Sequence, residues 1–198
     1  MIISRTPFRI SFFGGGTDYP AWYRDDMGMV LSTTIDKYSY LTCRRLPPFF
    51  EYTTRIVYTE TELVNHIDQI QHPAVRETLR YTELTKGLEI HHASDLPARS
   101  GLGASSSFVV GLLHILRVFQ GQTPDKMALA RTAIHIERDR IGEAVGSQDQ
   151  TAASFGGLNR ISFSGDDEIE VTPVSLEPER TAALESRLLL YFTGIFRE

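Results

Sequence analysis

The sequence predicts an α+β domain with a largely antiparallel or mixed sheet packed against helices, and three observations carry that prediction. Strand-like and helix-like stretches are interleaved without the regular alternation of a doubly wound fold. The segment Ser105 to Gln120 is apolar on nearly every side and belongs in the centre of a fold. The chain has 198 residues with 41% hydrophobic content, enough for one domain that buries roughly 70% of the surface its unfolded form would expose.

In chain order, Ile2 to Phe13 alternates loosely and reads as a strand ended by Gly14-Gly15-Gly16. A short helical stretch, Tyr19 to Asp26, closes at Gly28. The β-rich run Met29 to Arg45 is two strands or one bent strand, stopped by Pro47-Pro48. Arg55 to Thr59 is a further strand, Ala74 to Leu84 a helix opened by Pro73, and Leu88 to His92 a strand that leads into the loop Ser94 to Ser100. After the apolar helix, Thr123 is expected to cap a helix that has Pro124 in its first position and runs to about Glu143, with Leu129, Ala133 and Ile141 on its inner stripe. A hairpin at Leu158 to Phe163 and Ile169 to Val174, a charged helix Glu177 to Glu185 and a strand Leu188 to Phe192 complete the reading.

The formal net charge is −5 with both signs interspersed, which gives no footprint for nucleic acid or for an anionic membrane. No apolar run approaches the roughly 18 residues that a membrane span requires. Cys43 stands alone, so an intramolecular disulfide is excluded and a reducing compartment, by default the cytoplasm, fits. Small-molecule chemistry or protein contacts remain. His91 and His92 are strand neighbours facing opposite sides, and His114 and His135 have no companion at ligand spacing, so no histidine metal site is expected.

The strongest local feature is Leu96-Pro97-Ala98-Arg99-Ser100-Gly101-Leu102-Gly103-Ala104-Ser105-Ser106-Ser107, directly before the apolar helix. Small residues permit close backbone approach, the free amides and positive end of a helix N-terminus attract an anion, and clustered hydroxyls bind phosphate oxygens or a metal. The loop is no Walker motif, since no Gly-Lys-Ser/Thr ends it, and it lacks the spacing of a dinucleotide fingerprint.

Through Pro97, Gly101, Leu102, Gly103, Ser105 and Ser106 this loop resembles the second motif of the GHMP kinases, the family of galactokinase, homoserine kinase, mevalonate kinase and phosphomevalonate kinase. Two more stretches agree in order. Arg5-Thr6-Pro7-Phe8-Arg9 through Gly14-Gly15-Gly16-Thr17-Asp18-Tyr19 is similar to the first motif, and Glu137 precedes Asp149 of Gly146-Ser147-Gln148-Asp149-Gln150 by twelve residues.

The resemblance implies an N-terminal GHMP-kinase domain of the ribosomal protein S5 domain 2-like fold over residues 1–187. Residues 188–198 would begin a continuation whose C-terminal domain is largely missing. It implies ATP and Mg²⁺ as cofactors, the loop Pro97, Gly101 to Ser107 around the triphosphate, and Ser105 with Glu137 at the metal. Asp149 would be the base, Arg9 would neutralise charge at the reacting oxygen, and Gly15, Gly16, Thr17 and Asp18 would meet the substrate, with Asp18 orienting sugar hydroxyls. Gly15 and Gly16 depart from the Glu-His of galactokinase.

The string Ser11 to Pro20, with Arg44-Arg45-Leu46-Pro47-Pro48, is most similar to the heptose 7-phosphate kinase branch. That resemblance implies transfer of the ATP γ-phosphoryl group to an anomeric hydroxyl, with Arg44, Arg45 and Arg99 as contacts for a substrate phosphate. A galactokinase-like or fucokinase-like acceptor, and a catalytically weak binding fragment that self-associates through a bared apolar face, stay open as alternatives.

Overall fold

The computed structural model describes residues 1–98 and 100–191. Strand β1 (Ile2–Phe13) leads through the glycine turn to a single-turn helix α1 (Pro20–Tyr23) and then to β2 (Gly28–Arg45). Next come β3 (Thr54–Val57), β4 (Thr61–Val64), a 3₁₀ turn at Ile67–Gln69, α2 (Pro73–Tyr81) and β5 (Leu88–Ser94). Helices α3 (Ala104–Phe119), α4 (Lys126–Ile134) and α5 (Gln148–Phe155) follow, then β6 (Leu158–Ser164), β7 (Glu168–Pro173) and α6 (Pro178–Glu185). The strands make one sheet in the order β4-β3-β5-β2-β6-β7, with β1 also pairing β2. Among the described residues only the β3–β5 pair is parallel, so the sheet is mixed and the α+β expectation holds.

The run of β-formers after Gly28 is one long bent strand. Its first half, Gly28 to Thr33, pairs with β6 and its second, Ser39 to Arg45, with β5, while β1 runs along both. From the pair Pro7 with Tyr38 to the pair Arg9 with Thr34, β1 advances two residues and β2 four, so the register shifts beside Arg9. Such irregularities bend a ladder and re-aim a side chain next to functional sites.

Helix α3 is the axis of the packing. Val109, Leu112, Leu113, Ile115 and Leu116 are all buried, and they join Leu41, Cys43, Leu88 and Ile90 of the sheet with Val75 and Leu79 of α2 in the main core. A smaller core, Tyr23, Val30, Ala152, Ile161 and Phe163, packs α1 and α5 against the β6 side.

Four expectations change. The cap of α4 is Asp125 rather than Thr123: the Asp125 carboxylate accepts from the Ala128 amide at 2.8 Å, and the helix starts after Pro124 instead of on it. Asp in extended conformation is the better cap, and it draws the start to itself. Beyond Ile134 the same helix continues as a π-helix, His135–Ile141, ended by Gly142. Helix α5 was not expected, because Gln148 to Phe155 has no apolar stripe to announce it. Leu188 to Tyr191 form no strand: Leu189 is 95% and Tyr191 84% exposed, since no strand lies beside them among the described residues, and Phe192 falls outside those residues.

Candidate functional site

Three segments distant in sequence meet at the N-terminus of α3. Gly103 caps that helix at φ 77°, a left-handed conformation that a side chain would strain. A Cβ there would also come within 3.3 Å of Arg9 Cγ and 3.4 Å of Asp149 Oδ2. The loop is stitched to β1: the Arg9 amide donates to Leu102 O at 3.1 Å, Arg9 Nη1 to Gly101 O at 3.1 Å, and Ser107 Oγ to Pro7 O at 2.8 Å. These bonds hold the first turn of a 16-residue helix in place, with its amide-rich, positive end toward the loop.

Arg9 reaches from β1 to the N-terminal turn of α5. Its Nε donates to Asp149 Oδ1 and its Nη2 to Oδ2, both at 2.7 Å, a two-pronged pair that fixes the plane of the carboxylate. The two side chains are 12% and 26% exposed, so the pair is sheltered yet reachable.

Glu137 enters from the π-helix and is fully buried. Ser105 Oγ donates to its Oε1 at 2.8 Å, Ser106 Oγ to its Oε2 at 2.8 Å, and Gln150 Nε2 to its Oε2 at 2.6 Å. Burial pushes its carboxyl up to about 7 against the opposing pull of those three bonds, and the charge of Glu143 adds to the rise. Among the described residues no basic side chain pairs with it. A buried carboxylate with neutral donors only, next to a serine hydroxyl, is a set of hard oxygens that suits Mg²⁺. The π-helix is a recurrent device for turning a functional side chain inward.

Asp18 supports this arrangement from below. It is 1% exposed; its carboxylate accepts from the Gly16 and Gln148 amides at 3.0 and 3.1 Å and from Gln148 Nε2 at 3.2 Å. Gly146 must be glycine here, because a Cβ would fall 1.9 Å from Asp18 Oδ2. Asp18 therefore holds the segment that carries Asp149. Thr17 closes the glycine turn, donating to Gly14 O and accepting from the Met29 amide. Gly15 and Gly16 leave open space, with nothing nearer than 3.8 Å to a Cβ at Gly15.

Beside the loop, Pro97, Ala104 and Ser105 form one wall of a cleft of about 620 Å³. Its floor is aromatic: Phe108 lies against His72 at 5.0 Å and His92 at 4.8 Å, and Tyr58 meets His72 edge-on at 4.9 Å. Burial, with the nearby His72, lowers His92 to about 4, and burial lowers His72 as well. Both rings are thus uncharged at neutral pH, and the volume is that of an ordinary small-molecule pocket.

The structure brings Arg9, Gly101, Gly103, Ser105, Ser106, Glu137 and Asp149 together. It does not bring Arg44 and Arg45 to them. Arg44 pairs with Glu89, and Arg45 lies over the Phe119 ring at 4.9 Å, at the end of β2 away from Thr34, the partner of Arg9. Arg99 lies outside the described residues. Gln150 had no assigned role in the sequence; its signal was its place one residue after Asp149, which becomes meaningful once α5 is seen to be a helix.

Residues 65–157 match the family model for the GHMP kinases N terminal domain. The D-glycero-alpha-D-manno-heptose 7-phosphate kinase of Campylobacter jejuni is 30% identical over 209 residues, an alignment that covers all of this chain and 61% of that protein. The chain has the fold of the GHMP kinases' N-terminal domain. A galactokinase of Pyrococcus furiosus is 24% identical, again across the whole chain and 54% of its own length. The crystal structure of a D-glycero-D-manno-heptose 1-phosphate kinase from Bacteriodes thetaiotaomicron superimposes with a TM-score of 0.84 at 28% identity, covering 94% of this chain and 64% of that one. The chain thus spans less than two thirds of the length of those relatives. Among its described residues no helix is long and apolar enough to cross a membrane.

Proposed function

We propose that this chain is the nucleotide- and acceptor-binding part of an ATP-dependent sugar kinase that acts on the anomeric hydroxyl of D-glycero-D-manno-heptose 7-phosphate. The observation that carries the reading is the convergence at Gly103. The anion-binding end of α3, the Arg9–Asp149 pair and the buried Glu137 share one small volume. The aromatic cleft beyond Ser105 suits a planar base whose phosphates then lie over the loop.

In this mechanism Asp149 takes the proton of the acceptor hydroxyl as that oxygen bonds to the γ-phosphorus. The bond from phosphorus to the β–γ bridging oxygen breaks, and ADP leaves. Arg9 offsets charge that grows at the reacting oxygen, and the loop amides bind phosphate oxygens. Mg²⁺ bound with the nucleotide neutralises phosphate charge; Ser105 and Glu137 are the residues that would hold it.

The heptose phosphate acceptor is supported by the two relatives named for such sugars and by Gly15 and Gly16, which leave room where galactokinase has larger residues. Coupled ADP release should be measured on the longest form of the protein its gene encodes, with heptose 7-phosphate, galactose, fucose and mannose offered in turn. Turnover confined to the heptose phosphate is expected. Faster turnover with galactose or fucose would reassign the acceptor, and ATP binding without turnover on any sugar would reject the kinase reading.

A further inference from the structure

Outside the site, the sharpest cluster of titratable groups is at the tip of the β6–β7 hairpin. Asp167 sits in that turn at φ 63°, a conformation only a few non-glycine residues tolerate. Its carboxylate accepts from Arg138 Nη1 at 3.0 Å, from Nη2 at 3.1 Å, and from the Tyr23 hydroxyl. Arg138 Nη1 also donates to the Tyr23 oxygen at 3.2 Å, and Tyr23 OH lies 3.4 Å from Ser147 Oγ. Tyr23 is 1% exposed and stacks on Phe163 at 5.9 Å, so its hydroxyl cannot wander.

The neighbours of these residues in sequence matter most. Arg138 follows Glu137 on the π-helix, and Ser147 immediately precedes the helix whose first turn carries Asp149. Ser147 is itself pinned, its amide donating to Asp18 O at 2.9 Å and its carbonyl accepting from Thr151 Oγ1 at 2.7 Å. One carboxylate thereby ties the backbone behind Glu137 to the backbone in front of Asp149, through an arginine on one side and a tyrosine on the other.

We propose that Asp167 is a positioning residue: through Arg138 and Tyr23 it sets the separation between Glu137 and Asp149 and keeps the 146–150 segment in register with the phosphate loop. The proposal rests on the function assigned above for its kinetic consequence, and on the hydrogen bonds alone for its structural one. Burial would raise the Asp167 carboxyl, but its bonds to Tyr23 and Arg138 outweigh that and hold it below the usual carboxylate range. The brace is consequently charged and intact at every pH where a kinase works.

Two variants test it. Asp167→Asn keeps the shape and removes the charge; Tyr23→Phe keeps the stacking on Phe163 and removes only the hydroxyl. Amide hydrogen exchange of residues 146–150 should speed up about ten-fold in both, while β5 and the middle of α3 exchange as in the wild type. In steady state, kcat should fall about ten-fold or more with KM for ATP and for the sugar within about two-fold, since misplacement by a fraction of an ångström acts on the chemical step. Arg138→Lys should give a partial loss, because a lysine keeps the charge without the fork. Unchanged exchange at 146–150 overturns the proposal, as does faster exchange with wild-type kcat. If the wild type turns over no sugar, the kinase reading fails by itself and the exchange experiment still decides whether the brace holds the segment.

Discussion

Glu137 and Glu89 are both buried, 0% and 4% exposed, and they are treated in opposite ways. Glu89 lies on β5 among Arg44, Arg55 and His91; burial raises its carboxyl, but the His91 and Arg44 bonds prevail and bring it below its ordinary value. Glu137 has as many partners, Ser105, Ser106 and Gln150, yet all are neutral and its carboxyl rises to about 7. Neutral hydrogen bonds orient a buried charge and offset part of its burial, whereas an opposite charge offsets more. Glu89 is a finished structural joint. Glu137 has no such counter-charge among the described residues, which is what the metal-holding role proposed for it needs.

The largest effect that sharpens this contrast comes from the acid beside Glu137. Asp149→Asn keeps the shape of the Arg9 contact and removes the proposed proton acceptor, so turnover should fall by roughly 10²–10⁴-fold while ATP affinity stays within about two-fold. Steady-state rates with nucleotide titration check it, and undiminished turnover would remove Asp149 from the mechanism.

Next in size is Glu137→Gln, which should act in opposite directions on stability and on Mg²⁺-dependent nucleotide binding. The folded carboxyl at about 7 lies above its ordinary 4.5. Its contribution to stability is full below pH 4.5 and is lost as pH rises to about 7, a loss of about 3 kcal/mol at 1.36 kcal/mol per unit. Glutamine is exempt from that loss. Gln150 can accommodate the new amide by turning over, because its Oε1 has no partner as it stands. At pH 8 the variant should melt several degrees higher than the wild type while losing Mg²⁺-dependent affinity for ATP. A lower melting temperature at pH 8 would show that Glu137 is already compensated.

How far the sequence revealed this contrast depends on the separation of the residues concerned. The loop before α3 was legible because its chemistry is local: glycines, serines and an apolar helix stand in one stretch. Glu137 and Asp149 were legible as a spaced pair, through family resemblance. The pairing of Arg9 with Asp149 was not, since 140 residues separate them and only the register shift in β1 and β2 aims the arginine. Asp18 was read as a sugar contact, but burial turns its carboxylate onto backbone amides. Arg44 and Arg45 looked like free cations because nothing local shows that β5 lays Glu89 alongside. The brace at Asp167 drew no notice, as its three residues come from three elements.

A smaller effect separates the buried Glu137 from the half-buried His92. His92, lowered to about 4 from 6.5, contributes stability that is full above pH 6.5 and is lost as pH falls toward 4. Glu137 works the other way over 4.5 to 7. In the wild type the fall from Glu137 opposes the rise from His92 and His72 between pH 4.5 and 6.5, so the climb of stability with pH should be shallow there. Glu137→Gln unmasks the histidine, and stability should then climb with pH across that window in urea titrations. A level profile in the variant would mean that His92 takes up its proton without penalty.

The smallest expected effect lies at the other acid. Arg44 is half exposed and shares Glu89 with Arg55 and His91, so Arg44→Ala removes one partner of three and should cost only about 1 kcal/mol. The charge on Glu89 would still be met from two sides. If the sheet end is structural alone, KM for a sugar phosphate stays within about two-fold in Arg44→Ala and in Arg45→Ala, because neither guanidinium is near Asp149. A ten-fold rise in that KM, with unphosphorylated sugars unaffected, would instead bring the substrate phosphate to this end of β2 and make Glu89 part of a binding site.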